Sequence, residues 1–168
     1  MTSYPIKYLP SRLTRKDRKR EAKYLAKSRK LYKKGKYFIR PKVSSFKSKT
    51  SKHILKARKT YKVEDISPSK ELAGKTGCSI EALAKIVNKG EGAYYSSGSR
   101  PNQTAQSWGY ARLASAITGG KSAAVDFNIL QNGCKPNSKA LKLARQAVKK
   151  HKHGTRRVPR TFINNNNN

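Results

Sequence analysis

Acidic side chains are what this chain most lacks: 8 Asp and Glu stand against 40 Lys and Arg in 168 residues, a formal net charge of +32. So few carboxylates leave little material for paired acid–base catalysis, and Glu64, Asp65, Glu71, Glu81, Glu91 and Asp126 form no obvious pair. Glu71 and Glu81 fall in expected first helical turns, where the helix dipole explains them. Histidine is limited to His53, His151 and His153, each set among lysines as in a solvated basic segment. Cysteine is limited to Cys78 and Cys134, with no Cys-x-x-Cys pair. That spacing supports neither a zinc site nor a disulfide framework and fits a reducing compartment, while leaving a single bridge open. No apolar run reaches membrane-spanning length, and the N-terminus has no apolar signal core. The expectation is a soluble, intracellular, non-enzymatic protein with no cofactor and no metal.

What is abundant is positive charge, unevenly placed. Residues 1–60 carry 22 Lys/Arg against Asp17 and Glu21, residues 61–134 carry 8 against 6 acids, and residues 135–168 carry 10 against none. A balanced centre can fold on itself, whereas arms of one sign repel themselves until a polyanion neutralises them. The expected organisation is a basic N-terminal arm over 1–62, a compact helical domain over 63–153, and a basic tail ending in poly-Asn over 154–168. The candidate polyanion-binding residues are Arg15, Lys16, Arg18, Lys19 and Arg20; Lys33, Lys34 and Lys36; and Lys149, Lys150, Lys152, Arg156 and Arg157. They carry no base-reading motif, so binding independent of sequence is expected.

Periodicity predicts an all-α fold: a small domain of four or five short helices with glycine-rich turns, plus one or two helices in the arm. Thr14-Arg-Lys-Asp17 resembles a capping box opening a helix over about 14–34, with Tyr24, Leu25, Ser28, Leu31 and Tyr32 on one face and Gly35 as its stop. Ser51 caps a second helix to about residue 61. In the centre Ser67, Ser79, Ser122 and Ser138 read as caps, and Gly77, Gly90, Gly119, Gly133 and Gly154 as stops. A helix from about Asn102 or Thr104 to Thr118 places Trp108, Ala111, Leu113, Ala114 and Ile117 inward. Trp108, the sole tryptophan, is expected at the middle of a small core, making Trp108→Ala the substitution expected to unfold it.

Two stretches invite chemistry. Gly119-Gly-Lys-Ser122 ends like a phosphate loop, but Ser115 stands where that motif needs glycine and a helix precedes it instead of a strand. What survives is a weak phosphate contact at Lys121 and the N–H groups of Ser122. The second stretch, Tyr94 to Pro101, reads as a surface loop. There Tyr94 and Tyr95 would stack on bases or arginines, and Ser96, Ser97, Ser99 and Arg100 would meet phosphate oxygens. The bland reading of the same residues is a packed tyrosine under a serine turn. Asn102-Gln-Thr104 matches a glycosylation sequon and equally a helix cap.

The segments Gly92-Ala-Tyr-Tyr-Ser-Ser-Gly-Ser-Arg-Pro-Asn-Gln-Thr104, Ser107-Trp-Gly-Tyr-Ala-Arg-Leu-Ala-Ser-Ala-Ile-Thr-Gly-Gly-Lys121 and Leu31-Tyr-Lys-Lys-Gly-Lys-Tyr37 resemble an uncharacterised domain of large DNA viruses of algae and protists, with phage relatives. The resemblance implies a viral setting and no assigned activity. Together with the charge it leads to the expectation of a virion-associated structural protein that binds nucleic acid, DNA or RNA, or acidic protein surfaces. The alternatives are a minor capsid or cement protein threading between capsid subunits, and a ribosomal-type RNA-binding protein. The expected location is the virion, and the cytoplasm or nucleus of an infected cell.

Overall fold

The computed structural model describes residues 2–152 and 158–163. Among them the chain forms eight α-helices and one two-stranded sheet, so it is mainly α. The helices are α1 (Arg15–Tyr32), α2 (Lys52–Tyr61), α3 (Lys70–Thr76), α4 (Ile80–Ser96), α5 (Ala105–Ile117), α6 (Lys121–Val125), α7 (Phe127–Gly133) and α8 (Lys139–His151). The strands β1 (Thr2–Pro5) and β2 (Arg160–Ile163) pair antiparallel, with Tyr4 opposite Thr161. No periodicity foretold this sheet, because each strand is four residues long and its partner lies at the other end of the chain.

Most of the expected caps are present, but Ser122 is not one: it lies inside α6, whose N-cap is Gly120 with no side-chain bond. Thr14, Ser51, Ser79 and Ser138 each accept a hydrogen bond from a backbone N–H in the first turn that follows. For α3 the cap is Ser69 instead of Ser67, two residues later than expected, and Gly77 at φ +76° ends the helix as anticipated. α8 ends at a left-handed Lys152; Gly154 and the poly-Asn tail lie outside the described residues. The capping box at Thr14 is only half formed. Asp17 N–H donates to Thr14 Oγ1, but Thr14 N–H goes to Ser45 Oγ and the Asp17 carboxylate accepts from Ser45 N–H.

The chain divides into two compact units, and not at the boundary expected near residue 62. The first unit takes the chain up to Lys49, then Gly92–Ala105, then the C-terminal strand. The second takes Thr50–Glu91 and the chain from Gln106 through α8. The basic N-terminal stretch is thus the larger part of a folded unit, with Tyr4, Tyr8, Leu9, Leu13 and Leu25 buried. Burial of that apolar set offsets the like-charge repulsion that would keep α1 from forming alone.

The second unit has its core at Leu72, Leu83, Ile86, Leu113, Ile117, Leu130 and Ala144, all fully excluded from solvent. Trp108 is only half-buried and does not centre that core. It lies one residue before a close approach of α4 and α5 that requires glycine. A Cβ on Gly90 would fall 2.6 Å from Gly109 Cα, and one on Gly109 would fall 2.7 Å from the Val87 carbonyl oxygen. Gly90 is therefore no stop: α4 runs on through it to Ser96, because backbone contact with α5 outweighs its low helix propensity. The helix expected over 122–133 breaks at Asp126 into α6 and α7, leaving Val125 exposed.

Cys78 and Cys134 are joined by a disulfide within an isolated antiparallel bridge, where Ser79 N–H donates to Gly133 O and Lys135 N–H to Gly77 O. The single bridge that the cysteine spacing left open is thus present, against the reading of a reduced pair.

Three outcomes are expected in calorimetry of the full chain. Gly109→Ala should destabilise by about 1–3 kcal/mol through overpacking, whereas Gly74→Ala, in α3 with nothing within 4 Å of the added Cβ, should stabilise by about 0.5–1 kcal/mol. Cys134→Ser should lower stability by about 4 kcal/mol, since the bridge closes a loop with a sequence separation of 56.

Candidate polyanion-binding surface

α1 carries the densest charge in the first unit, and its two acids decide how that charge is displayed. At 3.6 residues per turn, Arg15, Lys16, Lys19, Arg20, Lys23, Lys27 and Lys30 fall within an arc of about 140°. All seven are exposed. Asp17 and Glu21 lie on the opposite face with Leu25 and Ser28, all buried. The outer face is a run of cations about 22 Å long, at 1.5 Å per residue, with no carboxylate on it. Arg18 is the exception among the expected cations: half-buried, it donates to Leu9 O at 2.7 Å and to Thr161 Oγ1 at 2.8 Å. Lys23, Lys27 and Lys30 lie outside the clusters Arg15–Arg20 and Lys33–Lys36 and join the surface through helical spacing.

Glu21 is held by Arg40, from the apolar run before Pro41. Arg40 Nε donates to Glu21 Oε1 at 3.0 Å, and both side chains are almost wholly buried. The guanidinium also donates to the Tyr94 and Arg100 carbonyls and to Ser99, and its centre lies 4.4 Å above the Tyr94 ring. Glu21 Oε2 has no hydrogen-bond partner among the described residues. Burial pushes the Glu21 carboxyl above its usual range, against the opposing charge of Arg40. Its stabilising contribution is therefore present below the ordinary carboxylate pKa and is lost as pH rises through the raised one. Asp17 runs the other way: hydrogen bonds from Ser45 hold it low, so its contribution is lost as pH falls through the lowered value.

This changes the expected loop contact. Tyr94 and Ser99 are buried partners of Arg40, not surface groups. Tyr95 is half-buried, and Ser96, Ser97 and Arg100 are exposed. The stretch to Ser96 is the last turn of α4 and not loop. Gly98, at φ +126°, lets the chain cross so close to α1 that a Cβ there would meet Leu25 Cδ2 at 2.6 Å. Asn102 clasps the opposing segment, accepting from Val43 N–H and donating to the Val43 and Phe46 carbonyls. Its amide is thus committed to internal bonds instead of a glycan.

At the end of α1, Lys33, Lys34 and Lys36 are exposed around Gly35. Lys36 N–H donates to Leu31 O and Gly35 N–H to Tyr32 O, and Gly35 sits at φ +72°, a glycine-closed helix end that reverses the chain. The reversal brings Tyr37 back to Tyr32 and Tyr95, with ring centroids at 6.2 and 5.0 Å.

In the second unit, Lys149, Lys150 and Lys152 are exposed at the end of α8. Arg156 and Arg157 lie outside the described residues. The phosphate contact at Lys121 and Ser122 loses its free donor, because Ser122 N–H already donates to Ser115 Oγ at 3.3 Å and α6 has only five residues. Asp126, fully buried, accepts both bonds of the Arg112 fork at 2.8 Å and lies 3.4 Å from Lys89 Nζ. An open groove of about 410 Å³ beside the disulfide is lined by Ala73, Gly74, Gly77, Ser79, Asn132, Gly133 and Lys135 as well as the two cysteines. It offers no acid–base pair. Among the described residues no helix is long and apolar enough to cross a membrane.

A family model described as a family of unknown function (DUF5824) matches residues 5–137. The match takes in all of α1 and Tyr94–Pro101, and ends before α8. No curated protein and no solved structure matches the chain.

Removing Arg40 should leave Glu21 buried without its counter-charge. Arg40→Met is expected to cost about 3–5 kcal/mol in denaturant unfolding of the full chain, and adding Glu21→Leu should recover most of it. Additive losses would show that the pair is not coupled.

Proposed function

The chain belongs to this family of unknown function, and for it we propose a non-enzymatic, virion-associated structural role: binding nucleic acid without sequence preference through the outer face of α1. The observation that carries this reading is the unbroken cationic face from Arg15 to Lys30, whose neighbouring acids are turned inward. An exposed face of ordinary solvated type mixes both signs and gains from i,i+4 pairs. A face of one sign gains instead from a partner whose charges run in a line, as phosphates do, with release of their counterions. Lys33, Lys34 and Lys36 extend the same footprint. The disulfide suits a virion, where the reducing pool of the cytosol does not act on it.

A cement protein threading between subunits would need an extended N-terminal arm. With Tyr4, Tyr8, Leu9 and Leu13 buried in their own unit, the first residues do not favour that reading. The ribosomal reading rests on composition alone.

The test is fluorescence anisotropy of the full chain on duplex DNA across a salt series. Affinity should fall steeply and log-linearly with salt, and replacing Arg15, Lys16, Lys19 and Arg20 by Gln should reduce the slope by about 3–4. An affinity that barely changes between low and physiological salt would sink the reading.

A further inference from the structure

Positive charge alone does not distinguish paired from unpaired nucleic acid, but the aromatic group at the end of α1 does. Tyr37 is 69% exposed and Ile39 is 75% exposed, unusual for side chains of this size beside a folded core. Tyr32 is also exposed. These rings are nevertheless fixed in place. The reversal at Gly35 sets Tyr37 against Tyr32, and Tyr37 leans on Tyr95 at 5.0 Å. Tyr95 in turn meets the buried Tyr94 ring edge-on, also at 5.0 Å, and Tyr94 is locked beneath the Arg40 guanidinium. The row of rings therefore runs from the buried ion pair out to solvent. A platform built this way loses little side-chain freedom when something stacks on it.

The charge flanking Tyr32 and Tyr37 in the sequence has one sign. Lys33, Lys34 and Lys36 are exposed beside the rings, and no Asp or Glu occurs between Glu21 and Glu64 or between Glu91 and Asp126. We propose that Tyr32, Tyr37 and Tyr95 form a stacking platform for the unpaired bases of single-stranded nucleic acid, with Lys33, Lys34 and Lys36 taking the adjoining phosphates. The assignment rests on the polyanion reading above and gives it a ligand class. A ring face needs a base face, and in a duplex both faces of each internal base are covered by its neighbours. Only an unpaired base offers its face without unstacking, and every base has one, so the contact is tolerant of sequence. An acidic peptide would use the lysines and leave the rings without a partner.

The experiment compares a mixed-sequence single strand of about 20 nucleotides with the corresponding duplex. Anisotropy is read on the full chain at one salt concentration and then across a salt series. Tyr37→Ala should weaken single-strand binding roughly tenfold, leave duplex binding within about twofold, and leave the salt slope unchanged, because no phosphate contact is lost. Tyr37→Phe, which keeps the ring face, should restore single-strand affinity. Replacing Lys33, Lys34 and Lys36 by Gln should weaken both forms and flatten the slope. Circular dichroism of each variant should match the parent, since Tyr37 is largely outside the packed interior. If Tyr37→Ala weakens neither form, or both equally, the platform is refuted while polyanion binding stands. If the parent chain binds neither strand form, the polyanion reading itself fails.

Discussion

The pairing of Glu21 with Arg40 is the interaction on which the first unit depends. Almost every other charge in the N-terminal stretch is a cation, so an unpaired arginine inside would have no natural counter-ion. Glu21, one turn on from Asp17, supplies it. Arg40 then organises what surrounds it. Its fork reaches the end of α4 through Tyr94 and the following turn through Ser99 and Arg100, and its plane covers the Tyr94 ring. An ion pair taken from water gains little by itself, and its value lies in satisfying many partners in one geometry. Here the pair and its partners come from three separate stretches, α1, the segment at Arg40 and residues 94–100, so the pair specifies how they meet.

The second unit repeats the device. Asp126 is enclosed and takes both bonds of the Arg112 fork, and the helix that periodicity would carry through this position breaks there. Of the chain's 8 acids, Asp17, Glu21 and Asp126 are buried. Each carboxylate drawn inside is one fewer to offset the cations outside. The inward-turned acids of α1 thus serve two ends with one placement: they hold the unit together and leave its outer face of a single sign. Such a face attracts polyanions at long range and loses its hold as salt rises.

Much of the local structure was legible because its causes are local. Serine and threonine at Thr14, Ser51, Ser79 and Ser138 cap helices by bonding backbone groups two or three residues away, and Gly35 and Gly77 end helices by adopting left-handed backbone. The readings that failed concern residues whose role is set by a distant partner. Gly90 looks like a stop until Gly109 lies against it. Tyr94 and Ser99 look like loop contacts until Arg40 arrives from more than fifty positions earlier. Trp108 looks like a core residue on size alone, whereas it is the adjacent Gly109 that lies against α4.

The sequence by itself determined that the chain is mainly helical, where most helices begin and end, and that its charge is concentrated outside the central segment. These follow from propensity, capping and composition, which act over a few residues. Only the tertiary structure decided which cations remain exposed, that Cys78 and Cys134 are joined, and that the N-terminal stretch folds with residues 92–105 and the C-terminal strand. It also decided that Tyr37 stands out to solvent on a row of rings anchored by a buried arginine. The reason is the same in each case. Burial, close approach and ion pairing join residues widely separated in sequence, and no local pattern encodes which of many chemically suitable partners will be the one in contact.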